Sequence, residues 1–343
     1  LRFYWMGLPS ATLDQSTVTS SGQRGVGFAT SPSDRKAVGI YDEDSAASAV
    51  CSTGYVTDCI AFEISGADPP VRRGALDLNS ITSDGFTLIV DVQLWSSLAI
   101  CWEAWGGSDI TVAATVAIAE PAGTGNQDYT VTGFVAGATD QVVMFAGVQA
   151  TAAAGTFARL DSGLCVGAAS SGTAADNIVA VDNSDDGSAN SDTDRYALSG
   201  ECLAMIAVAG GNPDARAVVT QWNTDGFRLN WIARNVTNRR YIGLAIKGGQ
   251  WKAGKLTITV GTLGATGTVS GLAFQPIGLS LMSMLTTEHT AGSSSTGASL
   301  TLGTGTSTSS RRTMGWNNVT GAGNMDIRLQ SEYDEILVDA VVG

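Results

Sequence analysis

The stretch Ile81-Thr82-Ser83-Asp84-Gly85-Phe86-Thr87-Leu88 recurs as Trp222-Asn223-Thr224-Asp225-Gly226-Phe227-Arg228-Leu229. Similarity at a separation of roughly 140 residues means that one supersecondary unit is built twice, and this limits the fold more than any single motif does. In each copy Asp-Gly stands between apolar-alternating runs. Glycine accepts the positive φ that a tight turn demands, so each copy reads as strand, turn, strand.

The repeat extends in both directions. Upstream, Asp58-Cys59-Ile60-Ala61-Phe62 matches Glu201-Cys202-Leu203-Ala204-Met205, and Glu335-Ile336-Leu337-Val338 gives a third version. Downstream, Thr130-Val131-Thr132-Gly133-Phe134 matches Thr268-Val269-Ser270-Gly271-Leu272. Three further strands occur three times each. They begin at Leu1, Val142 and Leu279; centre on Val26-Gly27-Phe28, Val166-Gly167-Ala168 and Leu302-Gly303-Thr304; and continue as Val38-Gly39-Ile40, Val179-Ala180-Val181 and Met314-Gly315-Trp316.

These matches predict an all-β chain of tandem antiparallel β-sandwich modules, jelly-roll-like, in two full copies plus a half copy. The expected divisions are a partial half-module over 1–66, one module over 67–210 and another over 211–343. An equally valid phase cuts after about 137 and 277. The leading half-module lacks its partner half, so open strand edges are expected there, to be covered by its neighbour, by a segment upstream of residue 1 or by strands from another subunit. The 42 glycines and the low share of charged residues, 15 %, suit short strands joined by tight turns. No long stretch carries helical periodicity with caps.

A net charge of −13 excludes nucleic acid and an anionic membrane as main partners, since both require basic surfaces. Arg239-Arg240 and Arg311-Arg312 read as solvated loop charges. The five cysteines lack metal-ligand spacing. Matching Cys59 to Cys202, with Ile336 in the third version, marks a buried apolar position rather than a reactive thiol.

Asp182, Ser184 and Asp186, followed by Gly187, fall at positions 1, 3, 5 and 6 of a calcium loop. Position 12 is Thr193 where a carboxylate is needed, so calcium competes with a plain solvated turn. Trp102-Glu103-Ala104-Trp105 places a carboxylate among aromatic rings, as glycosidases do. Matched to Leu244-Ala245-Ile246-Lys247, however, it reads as a core strand. Trp222, Trp231 and Trp251 are candidates for a carbohydrate-binding face. His289 is the only histidine and has no nucleophile signature beside it. The inventory therefore points away from an enzyme, with no cofactor expected.

The segments Gly25-Val26-Gly27-Phe28-Ala29-Thr30-Ser31 and Leu244-Ala245-Ile246-Lys247-Gly248-Gly249, with the paired Asp-Gly-Phe strands, resemble repeated β-sandwich structural proteins encoded by tailed phages and prophages. The resemblance implies a virion location, homo-oligomeric assembly with other virion proteins, and no catalytic residues. The chain is expected to be a capsid decoration or tail-appendage subunit. The alternative is an extracellular or cell-surface filament subunit or adhesin, with carbohydrate as a ligand.

Overall fold

The computed structural model describes residues 1–8, 15–19, 21–43, 50–150, 153–172, 177–184, 193–206, 213–235, 239–256, 268–284, 298–318 and 327–332. Every regular element among them is a β-strand, and every ladder is antiparallel. The fold is all-β, as the turn chemistry and glycine content predict.

Three large sheets carry the same run of strands. The first has the order β13 (Phe157–Arg159), β5 (Val50–Val56), β4 (Asp34–Glu43), β3 (Ser21–Ser31), β1 (Arg2–Leu8) and β9 (Ser97–Glu103). The second runs β10 (Val112–Ala119), β20 (Arg240–Lys247), β12 (Gln141–Val148), β14 (Ser162–Ser170), β15 (Asn177–Ser184) and β16 (Thr193–Ser199). The third runs β2 (Gln15–Thr19), β24 (Ile327–Glu332), β23 (Ser310–Asn318), β22 (Ala298–Ser307) and β21 (Leu279–Ser283).

Two small sheets cover outer faces. β6 (Ala61–Ile64), β7 (Arg72–Ile81) and β8 (Phe86–Val92) lie on the first large sheet. β11 (Gly125–Thr130), β19 (Gly226–Ala233), β18 (Pro213–Asn223) and β17 (Leu203–Ile206) lie on the second. Both Asp-Gly-Phe stretches are hairpins, β7 with β8 and β18 with β19.

The inner faces of all three large sheets meet in one apolar core. Tyr4 and Val26 come to it from the first, Met144 and Val166 from the second, and Leu302 and Met314 from the third. Two separate clusters fill the spaces under the small sheets. Edge strands also cross between sheets. β2 follows β1 in the chain but pairs with β24 of the third sheet, and β13 follows β12 but pairs with β5 of the first. Each connection thus lends a strand to a neighbour, which ties the sheets together through backbone hydrogen bonds.

Pairing register corrects three of the sequence matches by one residue. Gly27 faces Ala37, Gly167 faces Val179 and Gly303 faces Thr313, so Ala180 rather than Val179 stands where Val38 and Met314 stand. Ile60 N–H donates to Leu76 O as Cys202 N–H donates to Ala217 O, so Cys202 corresponds to Ile60 rather than Cys59. Likewise β9 against β1 and β20 against β12 put Trp102 at the position of Gly243, not Leu244: Trp102 faces Phe3 as Gly243 faces Phe145. All three slips occur where both strand faces are apolar, so alternation carries no phase and a one-residue slide goes unnoticed.

The sheets also group the chain differently from either expected division. A cut after residue 66 falls between β6 and β7, and a cut after 210 falls between β17 and β18, although each pair shares a ladder. A cut near 137 parts β10 and β11 from their partners β20 and β19.

Candidate functional site

Ladder register also brings one rung of each large sheet to the same place. The rungs are Arg24 with Ile40, Leu164 with Asp182, and Leu300 with Trp316. A guanidinium, a carboxylate and an indole therefore arrive from three sheets. Arg24 Nη1 lies 2.5 Å from Asp42 Oδ2, and Nη2 donates to Asp182 Oδ2 at 3.2 Å. Trp316 Nε1 donates to the same Asp182 oxygen at 2.7 Å, and the guanidinium carbon sits 5.0 Å from the Trp316 ring centroid. Arg24, Asp42 and Asp182 have no exposed surface. Burial works against the charge on Arg24, but the two carboxylates outweigh it and hold its pKa above the ordinary value. Burial pushes the Asp182 carboxyl up, against the pull of Arg24.

A second junction ties the first sheet to the third. Arg2 Nη2 donates to Glu103 Oε1 at 2.7 Å and also to Ser280 Oγ of β21. The Arg2 guanidinium lies over Tyr4 and Trp105, at 4.8 and 5.5 Å from the ring centroids. A third junction ties the first sheet to the second. Thr115 of β10 donates its backbone N–H to Asp34 Oδ2 at 2.9 Å, and Lys36 Nζ donates to Thr115 Oγ1 at 2.5 Å. Burial works against the Asp34 charge, but hydrogen bonds from Thr115 and Thr30 outweigh it and lower its pKa. The ionised groups at these three junctions hold sheets to one another.

Of the three expected calcium ligands, only the Asp182 side chain lies among the described residues. Asp182 is committed to Arg24 and Trp316, Ser184 closes β15 opposite Thr193, and Asp186 lies outside the described residues, as does His289. Among the described residues no group of three or more His, Cys, Asp or Glu is placed to hold a metal ion. Glu103 is a buried ion-pair partner, while its neighbour Trp102 is 53 % exposed, which corrects the core-strand reading. The one-residue register shift explains this, because it turns Trp102 to the opposite face. Trp231 is buried against Tyr241, and Trp251 packs on Trp105, so the three tryptophans proposed for a sugar face do not share one. Arg239 is buried against Asp214, and Arg311 and Arg312 sit within β23, so neither pair belongs to a solvated loop.

All five cysteines are buried. Burial raises the thiols of Cys59, Cys101 and Cys165 to about 12 and that of Cys202 well above its ordinary value.

One side of the first sandwich is open. In the second sandwich β10 continues the large sheet beyond β20, and β11 continues the small sheet beyond β19. In the first, β9 and β8 stand at those places, and among the described residues nothing pairs with their outer edges. Val90 of β8 and Trp102 of β9 are exposed beside these edges, with the Trp102 ring edge-on to Phe86 of β8 at 5.2 Å. The exposure of Trp102 is what the sequence reading missed, and its phase on β9 is the only signal that would have found it.

No described helix is long and apolar enough to cross a membrane. No family model, curated protein or solved structure matches the chain, so the residues themselves carry the functional reading.

Proposed function

We propose that the chain is a non-enzymatic structural subunit of a virus particle, a capsid decoration or tail-appendage protein that associates with copies of itself and with other virion proteins. The observation that carries the self-associating part is the open side of the first sandwich, where two unpaired sheet edges are flanked by the exposed side chains of Val90 and Trp102. Exposed edges with apolar flanks are the usual substrate of strand addition. The use of Arg2, Arg24, Asp42, Asp182 and Glu103 in joining strands and sheets supports a mechanical rather than a chemical role. No cofactor enters this reading. The virion location rests on the resemblance to phage-encoded β-sandwich proteins.

A filament subunit or adhesin on a cell surface is the second reading, favoured by the same open side, with carbohydrate as a ligand class. Immunogold electron microscopy of particles and cells from the source culture separates the two. Label on particles supports the virion role, label on cell-surface fibres supports the second reading, and protein confined to a soluble monomeric fraction contradicts both.

A further inference from the structure

In the second sandwich the segment Thr130-Val131-Thr132-Gly133-Phe134 leaves β11 and caps the β18–β19 turn. Val131 N–H donates to Asp225 O at 2.9 Å, Gly133 N–H to the Asp225 carboxylate at 2.7 Å, and Asp225 N–H to Phe134 O at 2.8 Å. Val131 and Phe134 are buried by this docking. Gly226 is required for it, because a Cβ there would lie 2.1 Å from Tyr129 O.

The counterparts of both halves of this contact are present elsewhere in the chain, and among the described residues neither is engaged. Thr268-Val269-Ser270-Gly271-Leu272 repeats the capping segment, and Gly271 has the same left-handed backbone as Gly133, φ +76 against +94. Yet Val269 is 54 % exposed where Val131 is 2 %. The segment leads into β21, the last strand of its sheet. The unused turn is Asp84-Gly85, where the Asp84 carboxylate accepts a hydrogen bond from Thr82 Oγ1 at 2.9 Å. A Cβ on Gly85 would meet nothing closer than Thr82 Oγ1 at 3.9 Å. On β8 the position of Trp231 is taken by Val90, 54 % exposed where Trp231 is 1 %.

We infer that the segment 268–272 of one copy caps the Asp84-Gly85 turn of a second copy and seats against the outer edge of β8. The contact reproduces, between chains, the one that Thr130–Phe134 makes with Asp225 within the chain. Val269 N–H and Gly271 N–H then donate to the Asp84 carbonyl and carboxylate, and Val269 covers the exposed apolar side. Because donor and acceptor lie on different surfaces, the contact is head-to-tail and propagates as a ring or a filament. The inference rests on the self-association proposed above and names the surfaces that perform it.

Two variants test it. Gly85→Ala has room in the isolated copy but places a Cβ against the incoming carbonyl. Val269→Asp alters an exposed side chain and puts a carboxylate beside Asp84. Sedimentation velocity on the full chain should show wild-type oligomers, and each variant alone should weaken association at least tenfold with its near-ultraviolet circular dichroism unchanged. Mixing the two should restore a dimer and nothing larger, because only one of the two possible contacts between them remains intact. A monomeric wild-type chain overturns the inference, as do variants that associate like the wild type or a mixture that stays monomeric. If oligomers behave as expected but particles carry no label, the docking stands and only the virion location falls.

Discussion

Replacing Arg24 with leucine removes the cation that holds three sheets at one point. The position tolerates leucine sterically, since Leu164 and Leu300 occupy the matching rungs of the other two sheets. What the substitution leaves behind is electrostatic, because Asp42 and Asp182 remain buried with no guanidinium between them. Removing one member of a buried ion pair costs about 3–5 kcal/mol, a large share of a typical folding free energy of roughly 5–15 kcal/mol. With a urea slope of about 3 kcal/mol/M the midpoint falls by roughly 1–1.7 M.

The loss depends on pH in a defined direction. Without Arg24 the Asp182 carboxyl, which burial already pushes up, loses the pull that opposes burial and titrates further above its unfolded value, so the folded form binds a proton that the unfolded form has released. Stability of the variant then falls as pH rises from the unfolded to the folded pKa, by up to about 1.4 kcal/mol per unit for this group. The gap to wild type is widest at pH 7.5 and narrows at pH 5.5. Asp182→Asn keeps an oxygen for Trp316 and leaves Arg24 paired with Asp42, so it costs less, about 1–2 kcal/mol. Urea unfolding of the three proteins at both pH values is the assay. An Arg24→Leu midpoint within about 0.3 M of wild type at pH 7.5, equal to ~1 kcal/mol on that slope, refutes the reasoning. A gap that does not change between the two pH values refutes it as well.

Gly27→Ala and Gly167→Ala each place a Cβ 2.0 Å from a backbone carbonyl, of Ile60 and Cys202 respectively. Neither carbonyl can withdraw without breaking its strand, so each variant loses about 1–3 kcal/mol in the same urea assay. The five thiols should be silent towards a disulfide reagent at pH 8 in the native protein and all react in denaturant, because burial raises those of Cys59, Cys101 and Cys165 to about 12. Rapid native labelling of any of those three contradicts the packing described for them.

Fold class was legible because turn chemistry is local: Asp84-Gly85 and Asp225-Gly226 announce hairpins without reference to the rest of the chain. The repeat was legible through short motifs, but its register was not. Ala180 and Val179, or Ile60 and Cys59, are equally apolar neighbours, and only the ladder shows which of them faces which core. Arg24 escaped notice for the same reason. Only correct phasing reveals that an arginine stands where Leu164 and Leu300 stand, opposite a position that holds Asp182 in one sheet and Trp316 in another. Asp182 looked like a loop ligand because Asn183, Asp185 and Asp186 follow it in sequence, yet its own side chain turns inward from β15. Trp102 looked internal until a one-residue shift moved it to the surface.

The account depends on three sheets sharing one core through the Arg24, Asp42, Asp182 and Trp316 contacts. Native-state hydrogen exchange on wild type and Arg24→Leu, read by mass spectrometry, tests this most directly. Shared packing predicts that the substitution in β3 speeds exchange in β15 and in β23 by a similar factor, although neither strand is bonded to β3. Faster exchange confined to β3 and its ladder partners β1 and β4, with β15 and β23 unchanged, would contradict it.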